Sequence, residues 1–302
     1  YCLLGDHLST FNNDSDASDK SRYALLKPAI ESVANDGIIA VRTCAVQAIL
    51  PVLNFDRNNA VDLFIQASSG HVEIYGTNPF EQFARFAVYS HYNRIREMLQ
   101  EALASENESA IKNAGRQISL ADLANVDVGE DAVAIRSGSD LKRHTAVSVY
   151  AHNVGDKEVG DKCAEHLETF FDDDSEEVRK QLCHAFFHIE DDRLLELEGF
   201  IGRFIESKSF ETWPDGAMRS LEKSRLQLPT IICRAAERVL ELADNRSRND
   251  HYSALWHVST LVVRQYEQTE DEKTKNACLD LIDRLERIGY DGVANELGKL
   301  ER

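Results

Sequence analysis

The stretch from Asp156 to Ser207 constrains the fold most, because its apolar residues recur at the spacing of an α-helix rather than of a strand. They form three stripes: Val159, Cys163, Leu167 and Phe170/Phe171; then Val178, Leu182, Phe186 and Ile189; then Leu194, Leu197, Ile201, Phe204 and Ile205. The acidic residues 172–177 separate the first two stripes, and their short acceptor side chains suit the start of a helix. The pattern predicts a helical hairpin, which cannot bury both stripes unless similar hairpins stack against it.

A short motif recurs along the chain, in which an apolar residue and then Arg or Lys follow a polar turn. Its copies are Val41-Arg42, Ile111-Lys112, Leu141-Lys142, Val178-Arg179 and Met218-Arg219, with a weaker copy near Phe83-Ala84-Arg85. They recur at intervals of about 30–45 residues, the length of one helical repeat. The motif resembles the second helix of a HEAT repeat. This resemblance implies an all-α protein folded as a right-handed α-solenoid of HEAT-like hairpins.

The two ends of the chain differ from its middle in their pattern of polar and apolar residues. Tyr1-Cys2-Leu3-Leu4 looks like the end of a helix, and the polar composition of residues 10–21 predicts a loop. Because the chain begins with Tyr rather than Met, we expect a fragment of a longer polypeptide. The expected parts are the end of a preceding helix plus a polar linker at 1–21, the solenoid at 22–250, and a C-terminal helical cap continuous with the solenoid at 251–302.

The apolar pattern also predicts individual elements within these parts. It predicts separate helices at about 79–89 and 93–104, one helical stripe at 194–205, an element at 209–226, and a closing helix at 291–300. A Val-rich element at 126–135 has no clear helical period.

Residues 68–79 interrupt the pattern, because they hold Gly70, Gly76 and Pro79 and exceed what a turn between stacked helices needs. Long loops on repeat scaffolds often contact partners, which makes Tyr75 and Asn78 candidate partner-binding residues. A tolerated surface insertion is the simpler alternative.

Composition narrows the class of protein. The net charge of −18 argues against a general role in gripping phosphate backbones, and no apolar run approaches the length of a membrane span. The six cysteines are scattered singly, without a CxxC pair. Reduced thiols of this kind fit a cytoplasmic protein better than a zinc site or a disulfide framework.

Sequence motifs for catalysis and cofactor binding are missing. The chain has no GxxxxGK[ST] loop, GxGxxG fingerprint or GxSxG elbow, so we expect neither an enzyme nor a cofactor. His184 and His188 lie one helical turn apart, which suits a metal ion if a third ligand converges on them. A metal-dependent enzyme at this pair is therefore an alternative, and two surface histidines without a metal are the expectation.

Positive charge concentrates on the second helix of each predicted hairpin. In HEAT-like stacks these helices line the concave side, where a basic strip would attract an acidic protein surface, a phosphate or a nucleic acid. Arg42, Arg179 and Arg219 also suit a structural ladder to neighbouring turns. The candidate partner-binding cations are Lys112, Arg116, Lys142, Arg143 and Lys180.

Several stretches resemble the C-terminal helical regions of large bacterial STAND-type P-loop NTPases, some of which act in anti-phage defence. They are residues 75–80, 114–116, 149–153 and 277–284. The resemblance implies a sensor or protein-interaction module that reports partner binding to an NTPase domain elsewhere in the chain. A nucleic-acid-binding solenoid that uses the basic strip is the alternative.

Overall fold

The computed structural model describes residues 17–54, 56–245, 252–290 and 292–293, and every regular element in these ranges is helical. The chain divides into two compact units, one up to Val149 and one from Tyr150 onwards. The all-α prediction is confirmed for the described ranges. None of the helices within them is long and apolar enough to cross a membrane.

In its described residues the first unit holds eight α-helices and one 3₁₀ helix, and the last α-helix ends a few residues after Val149. In chain order they are α1 Ala17–Ala34, α2 Ile39–Ile49, the 3₁₀ helix Leu50–Asn54, α3 Arg57–Ser68, α4 Val72–Tyr75, α5 Asn78–Ala104, α6 Glu108–Leu123, α7 Glu130–Arg136 and α8 Asp140–Asn153. Phe64 and Phe83 stack in the core with ring centroids 4.2 Å apart. The side chains of Thr77 and Asn107 cap α5 and α6 by accepting hydrogen bonds from first-turn amides.

The second unit continues with shorter helices. They are α9 Gly160–Glu168, α10 Glu176–Cys183, the 3₁₀ helix His184–Phe187, α11 Asp191–Glu196, α12 Glu198–Ile205, α13 Lys208–Thr212, α14 Asp215–Lys223, α15 Pro229–Asn245, α16 Tyr252–Gln268 and α17 Glu272–Arg287. Two helices flank the acidic turn as predicted, α9 and α10, and their packing as a hairpin stays a prediction. The second and third apolar stripes meet in a cluster in which Phe186 and Phe204 have ring centroids 4.5 Å apart.

Helix α14 is fastened to α16 by two side chains. Arg264 donates to the carbonyl oxygens of Leu221 and Glu222, at 3.0 and 2.6 Å. These carbonyls belong to the last turn of α14, where helical partners are lacking. His257 also forms a hydrogen bond with the carboxylate of Glu222. The C-terminal end of α14 is therefore held directly by α16.

Three predicted boundaries in the first unit differ from the structure. Residues 17–21 belong to α1 rather than to a loop, since Asp and Ser suit a first helical turn as well as a linker. The helices predicted at about 79–89 and 93–104 form the single α5, in which His91 departs from helical geometry with φ −134° and ψ 25°. The Val-rich element contributes α7, which begins only after Gly129 at φ 53°.

Two predicted elements of the second unit are each divided. The stripe at 194–205 falls on α11 and α12, which part at Leu197, and the element at 209–226 falls on α13 and α14. Pro214 lies between the last two, where it removes an amide donor that a continuous helix would need. The predicted helix end at 1–4, most of the polar linker and most of the closing helix at 291–300 lie outside the described residues.

The segment 68–79 is packed rather than looped out. It contains α4, and the side chains of Ile74 and Tyr75 are fully buried. The Asn113 amide donates to the carbonyl oxygens of Tyr75 and Thr77, at 2.9 and 3.3 Å, which fixes the segment against α6. Its Gly and Pro residues thus shape a tight connection into α5.

Candidate functional site

Most of the cations predicted to form a partner-binding strip contact carboxylates. The ion pairs are Lys112–Glu108 at 3.4 Å, Lys180–Glu176 at 2.8 Å, Arg143–Asp140 at 3.0 Å, and Arg116–Glu81. Lys142 has no such partner among the described residues. Exposed pairs of this kind add little stability, but each carboxylate offsets the positive charge beside it. Lys180 lies in the second unit, and the other four cations lie in the first.

The two remaining predicted contact residues lie at different depths. Tyr75 is fully buried, and its hydroxyl donates to Glu101 at 2.6 Å and accepts from the Gly70 amide at 2.9 Å. Burial, followed by the hydrogen bond to Glu101, raises the pKa of Tyr75 well above its usual value. In this conformation its ring does not reach the surface. Asn78 is exposed in the first turn of α5.

The arginines of the recurring motif differ in their hydrogen bonds. Arg42 donates to three backbone carbonyl oxygens at 2.6–3.4 Å, from the turn before its helix and from the end of α3. Arg179 donates to two carbonyl oxygens of the acidic turn and to Thr212 Oγ1, which is 2.9 Å away. Arg219 is exposed and has no hydrogen bond or ion pair within the described residues. The ladder expected of all three is therefore present at two of them.

A signal for this difference exists in the sequence. Arg42 and Arg179 each bond to the carbonyl oxygen of an aspartate six positions earlier, Asp36 or Asp173. The residue six positions before Arg219 is Trp213, which a proline follows. The aspartate that precedes the other two arginines by six positions is thus absent before Arg219.

The two histidines considered for metal binding contact different rings. His184 begins a 3₁₀ helix, in which a residue four positions later lies about 120° around the axis rather than about 40° as in an α-helix. His184 packs against Trp213, with ring centroids 5.5 Å apart, and His188 packs against His152 at 4.5 Å. Partial burial lowers the pKa of both His152 and His188. No three His, Cys, Asp or Glu side chains converge as metal ligands in the described part of the chain.

An open groove of about 450 Å³ lies in the second unit, between the 3₁₀ helix His184–Phe187 and α14. Phe186 and Ile189 are buried at its base. We call Arg219 and Lys223 of α14 the cationic wall, and Glu190 and Asp191 the acidic wall.

Neither cation of the cationic wall forms an ion pair with a described residue. Arg219 and Lys223 are both exposed and lie four positions apart on α14, on the same side of the helix. Lys223, like Arg219, has no ion pair in the ranges that the structure describes. Two like charges at this spacing repel each other by about 0.2–0.5 kcal/mol.

An aromatic cluster adjoins the groove and consists of the exposed His184 and Phe187 and the half-buried Trp213. The Phe187 and Trp213 rings meet edge to face with centroids 5.7 Å apart, and Phe187 is 48% exposed. Phe187 also lines the groove, so the apolar cluster and the cationic wall border one another. Helical periodicity did not single out this site, because Phe187 falls outside the apolar stripes and Arg219 was assigned to a ladder.

Comparisons with protein-family models and with curated proteins find no match to this chain.

Proposed function

We propose that the chain is a non-catalytic protein-interaction or sensor module, built as a right-handed α-solenoid of HEAT-like hairpins within a larger cytoplasmic bacterial protein. The observation that carries this proposal is the groove in the second unit. There, an aromatic cluster with an exposed Phe187 borders two cations that form no ion pair with a described residue.

The composition of the groove suits protein recognition. Arg and Trp are the residues most enriched among those that dominate binding energy at protein interfaces. Trp213 and Arg219 provide both types next to Phe187, whose exposed ring is available for burial against a partner. Buried residues at the base supply a firm support for such a contact.

The repeat architecture is supported by contacts that recur at one repeat length. Ion pairs join side chains 32–35 positions apart in both units: Arg94–Asp62, Arg116–Glu81, Arg193–Asp161 and Arg203–Glu168. Arg42 and Arg179 occupy equivalent positions in two copies of the motif, and each donates a hydrogen bond to the turn before its own helix. In a solenoid each repeat contacts its neighbours, which produces periodic contacts of this kind.

Small-angle X-ray scattering tests the solenoid proposal. A compact globule of 302 residues has a radius of gyration of about 19 Å. We expect a clearly larger value, since a solenoid is elongated. A measured value near that of the globule would contradict the architecture.

The resemblance to STAND-type NTPases is part of the proposal. Partner binding at the groove would then be relayed to an NTPase domain elsewhere in the longer polypeptide, through small changes in the stacking of successive helices. The module itself would have no turnover.

The interaction proposal is tested by capturing partners with the tagged chain from lysate of the source organism, followed by mass spectrometry. Trp213→Ala should abolish capture of a specific protein, because it removes the ring that supports Phe187. The matched control is Trp256→Ala, since Trp256 is 47% exposed in the same unit. A partner retained equally by both variants would exclude the groove as the contact.

The alternatives from the sequence gain no specific support. The nucleic-acid interpretation needs a basic strip, and Lys112, Arg116, Arg143 and Lys180 lie beside carboxylates. The metal-dependent enzyme would need a third ligand near His184 and His188, and none converges there among the described residues. Both alternatives stay predictions.

A further inference from the structure

We infer that the groove binds a short peptide segment in which an acidic side chain stands next to an apolar one. This inference rests on the proposed function, because it names the class of partner that the same groove accepts.

The acidic part of the segment follows from the cationic wall. Arg219 and Lys223 project from one side of α14, and neither forms an ion pair with a described residue. A guanidinium binds a carboxylate through two parallel hydrogen bonds, and such charge-assisted bonds are stronger than neutral ones. One carboxylate placed between the two cations would also relieve their mutual repulsion.

The apolar part follows from the ring that borders the cations. Phe187 is 48% exposed, although its neighbour Phe186 and Ile189 at the base are buried. An aliphatic or aromatic side chain seated on Phe187 and Trp213 would remove this apolar surface from water. Because Phe187 and the cationic wall line the same groove, the acidic and apolar side chains must be close together in the partner.

The acidic wall decides between a peptide and a polyanion. Glu190 and Asp191 line the groove that also holds Arg219 and Lys223, so two negative charges face any ligand there. Asp191 already accepts a hydrogen bond from the Arg225 amide at 3.2 Å, whereas Glu190 is exposed. A nucleic-acid backbone would place further phosphates against these carboxylates, whereas a peptide offers backbone amides as donors to them.

The test is a selection of random peptides displayed on phage against the 302-residue chain, followed by affinity measurements with the enriched peptides. We expect enriched peptides that share Asp or Glu next to an apolar residue. The double variant Arg219→Glu/Lys223→Glu should weaken their binding by about tenfold or more. The control Lys273→Glu/Lys275→Glu makes the same change in net charge on α17, and it should weaken binding by less than about twofold. Circular dichroism confirms that both double variants are folded.

The outcomes separate this inference from the proposed function. Peptides that bind the wild type and the groove variant equally would overturn the groove assignment and leave a peptide-binding module. Groove-dependent peptides without acidic residues would overturn the acidic partner and leave the groove. If no peptide is enriched while the lysate experiment still captures a protein, the short segment is refuted and the interaction module stands.

A nucleic acid is the remaining competitor. Short single-stranded DNA is therefore titrated against the same variants at low salt, and we expect no binding. Binding that disappears in Arg219→Glu/Lys223→Glu and persists in the Lys273→Glu/Lys275→Glu control would overturn the peptide in favour of a nucleic acid.

Discussion

Substitution of Asp131 by Asn should destabilise the first unit strongly, although it changes the size of the side chain little. The Asp131 side chain is only 7% exposed at the start of α7 and receives four hydrogen bonds from three residues of α5, two of them from Arg96. Tyr92 donates its hydroxyl hydrogen at 2.6 Å, Arg96 donates from Nε at 2.6 Å, and Gln100 donates from Nε2 at 2.7 Å. All three donors require an acceptor, and an amide offers one oxygen where the carboxylate offers two.

The expected magnitude follows from these contacts. A hydrogen bond to a charged group contributes about 1.5–3 kcal/mol, and a donor left unpaired in a buried site costs about 1–3 kcal/mol. Because Arg96 is 42% exposed, water replaces part of its lost interaction and its share must be discounted. We expect Asp131→Asn to lower the free energy of unfolding by about 2–4 kcal/mol at pH 7.

The same contacts give this prediction a pH dependence. Burial alone would raise the pKa of Asp131, but the hydrogen bonds from Arg96, Tyr92 and Gln100 outweigh burial and hold this pKa below its usual value. The ionised form is therefore the stabilising one. Its contribution is complete above the pKa of the unfolded chain, about 3.9, and is lost as the pH falls through the lower pKa of the folded state. The difference between wild type and Asp131→Asn should stay constant from pH 7 to 5 and shrink only below about pH 4.

Urea unfolding followed by far-UV circular dichroism measures the loss, and hydrogen exchange with mass spectrometry assigns it to α5 and α7. Both tryptophans, Trp213 and Trp256, lie in the second unit, so their fluorescence follows that unit separately. Glu130→Gln is the control, because it makes the same charge change at an exposed neighbour and should cost less than about 1 kcal/mol. If Asp131→Asn costs no more than Glu130→Gln, the reasoning is wrong.

Two further substitutions test close packing and buried hydrogen bonding. Gly155→Ala would place a Cβ 1.8 Å from the carbonyl oxygen of His188, so we expect a loss of about 1–3 kcal/mol or more in urea unfolding followed by tryptophan fluorescence. Gly199→Ala is the matched control, since only a flexible side chain lies 3.4 Å from its added Cβ. This control should be neutral or stabilising by up to about 1 kcal/mol. Equal losses of stability in the two variants would contradict the clash at Gly155. Tyr75→Phe removes a buried hydroxyl with two hydrogen bonds and should cost about 1–2 kcal/mol in far-UV melts. A change within the error of those melts would show that the hydroxyl contributes nothing net.

The sequence predicts the helical class and the two helices around the acidic turn, because these depend on local periodicity. The stripes around the acidic turn become the buried faces of α9 and α10, as their 3.6-residue spacing requires. Periodicity is silent on how helices join, however. The apolar pattern on either side of His91 fits two helices or one kinked helix, and only tertiary packing selects the kinked α5.

The candidate site depends on features that local patterns do not carry. Phe186 and Phe187 are adjacent and equally apolar, yet one is buried and the other is 48% exposed. Which of the two rings is buried depends on the change from α10 to a 3₁₀ helix. A 3₁₀ helix rotates each successive residue by about 20° more than an α-helix does. Conversely, Tyr75 was predicted to contact a partner because its segment is long and holds Gly and Pro residues, whereas the distant side-chain amide of Asn113 holds this segment in the interior.

The attachment of α14 to α16 bears on what a ligand at the groove can do. Any displacement of the cationic wall moves the carbonyl oxygens of Leu221 and Glu222, which the guanidinium of Arg264 holds at 3.0 and 2.6 Å. Such a displacement must either carry α16 along or break these bonds together with the contact from His257. A ligand that displaces α14 at the groove would therefore also displace α16, whose contact residue His257 lies more than thirty residues further along the chain.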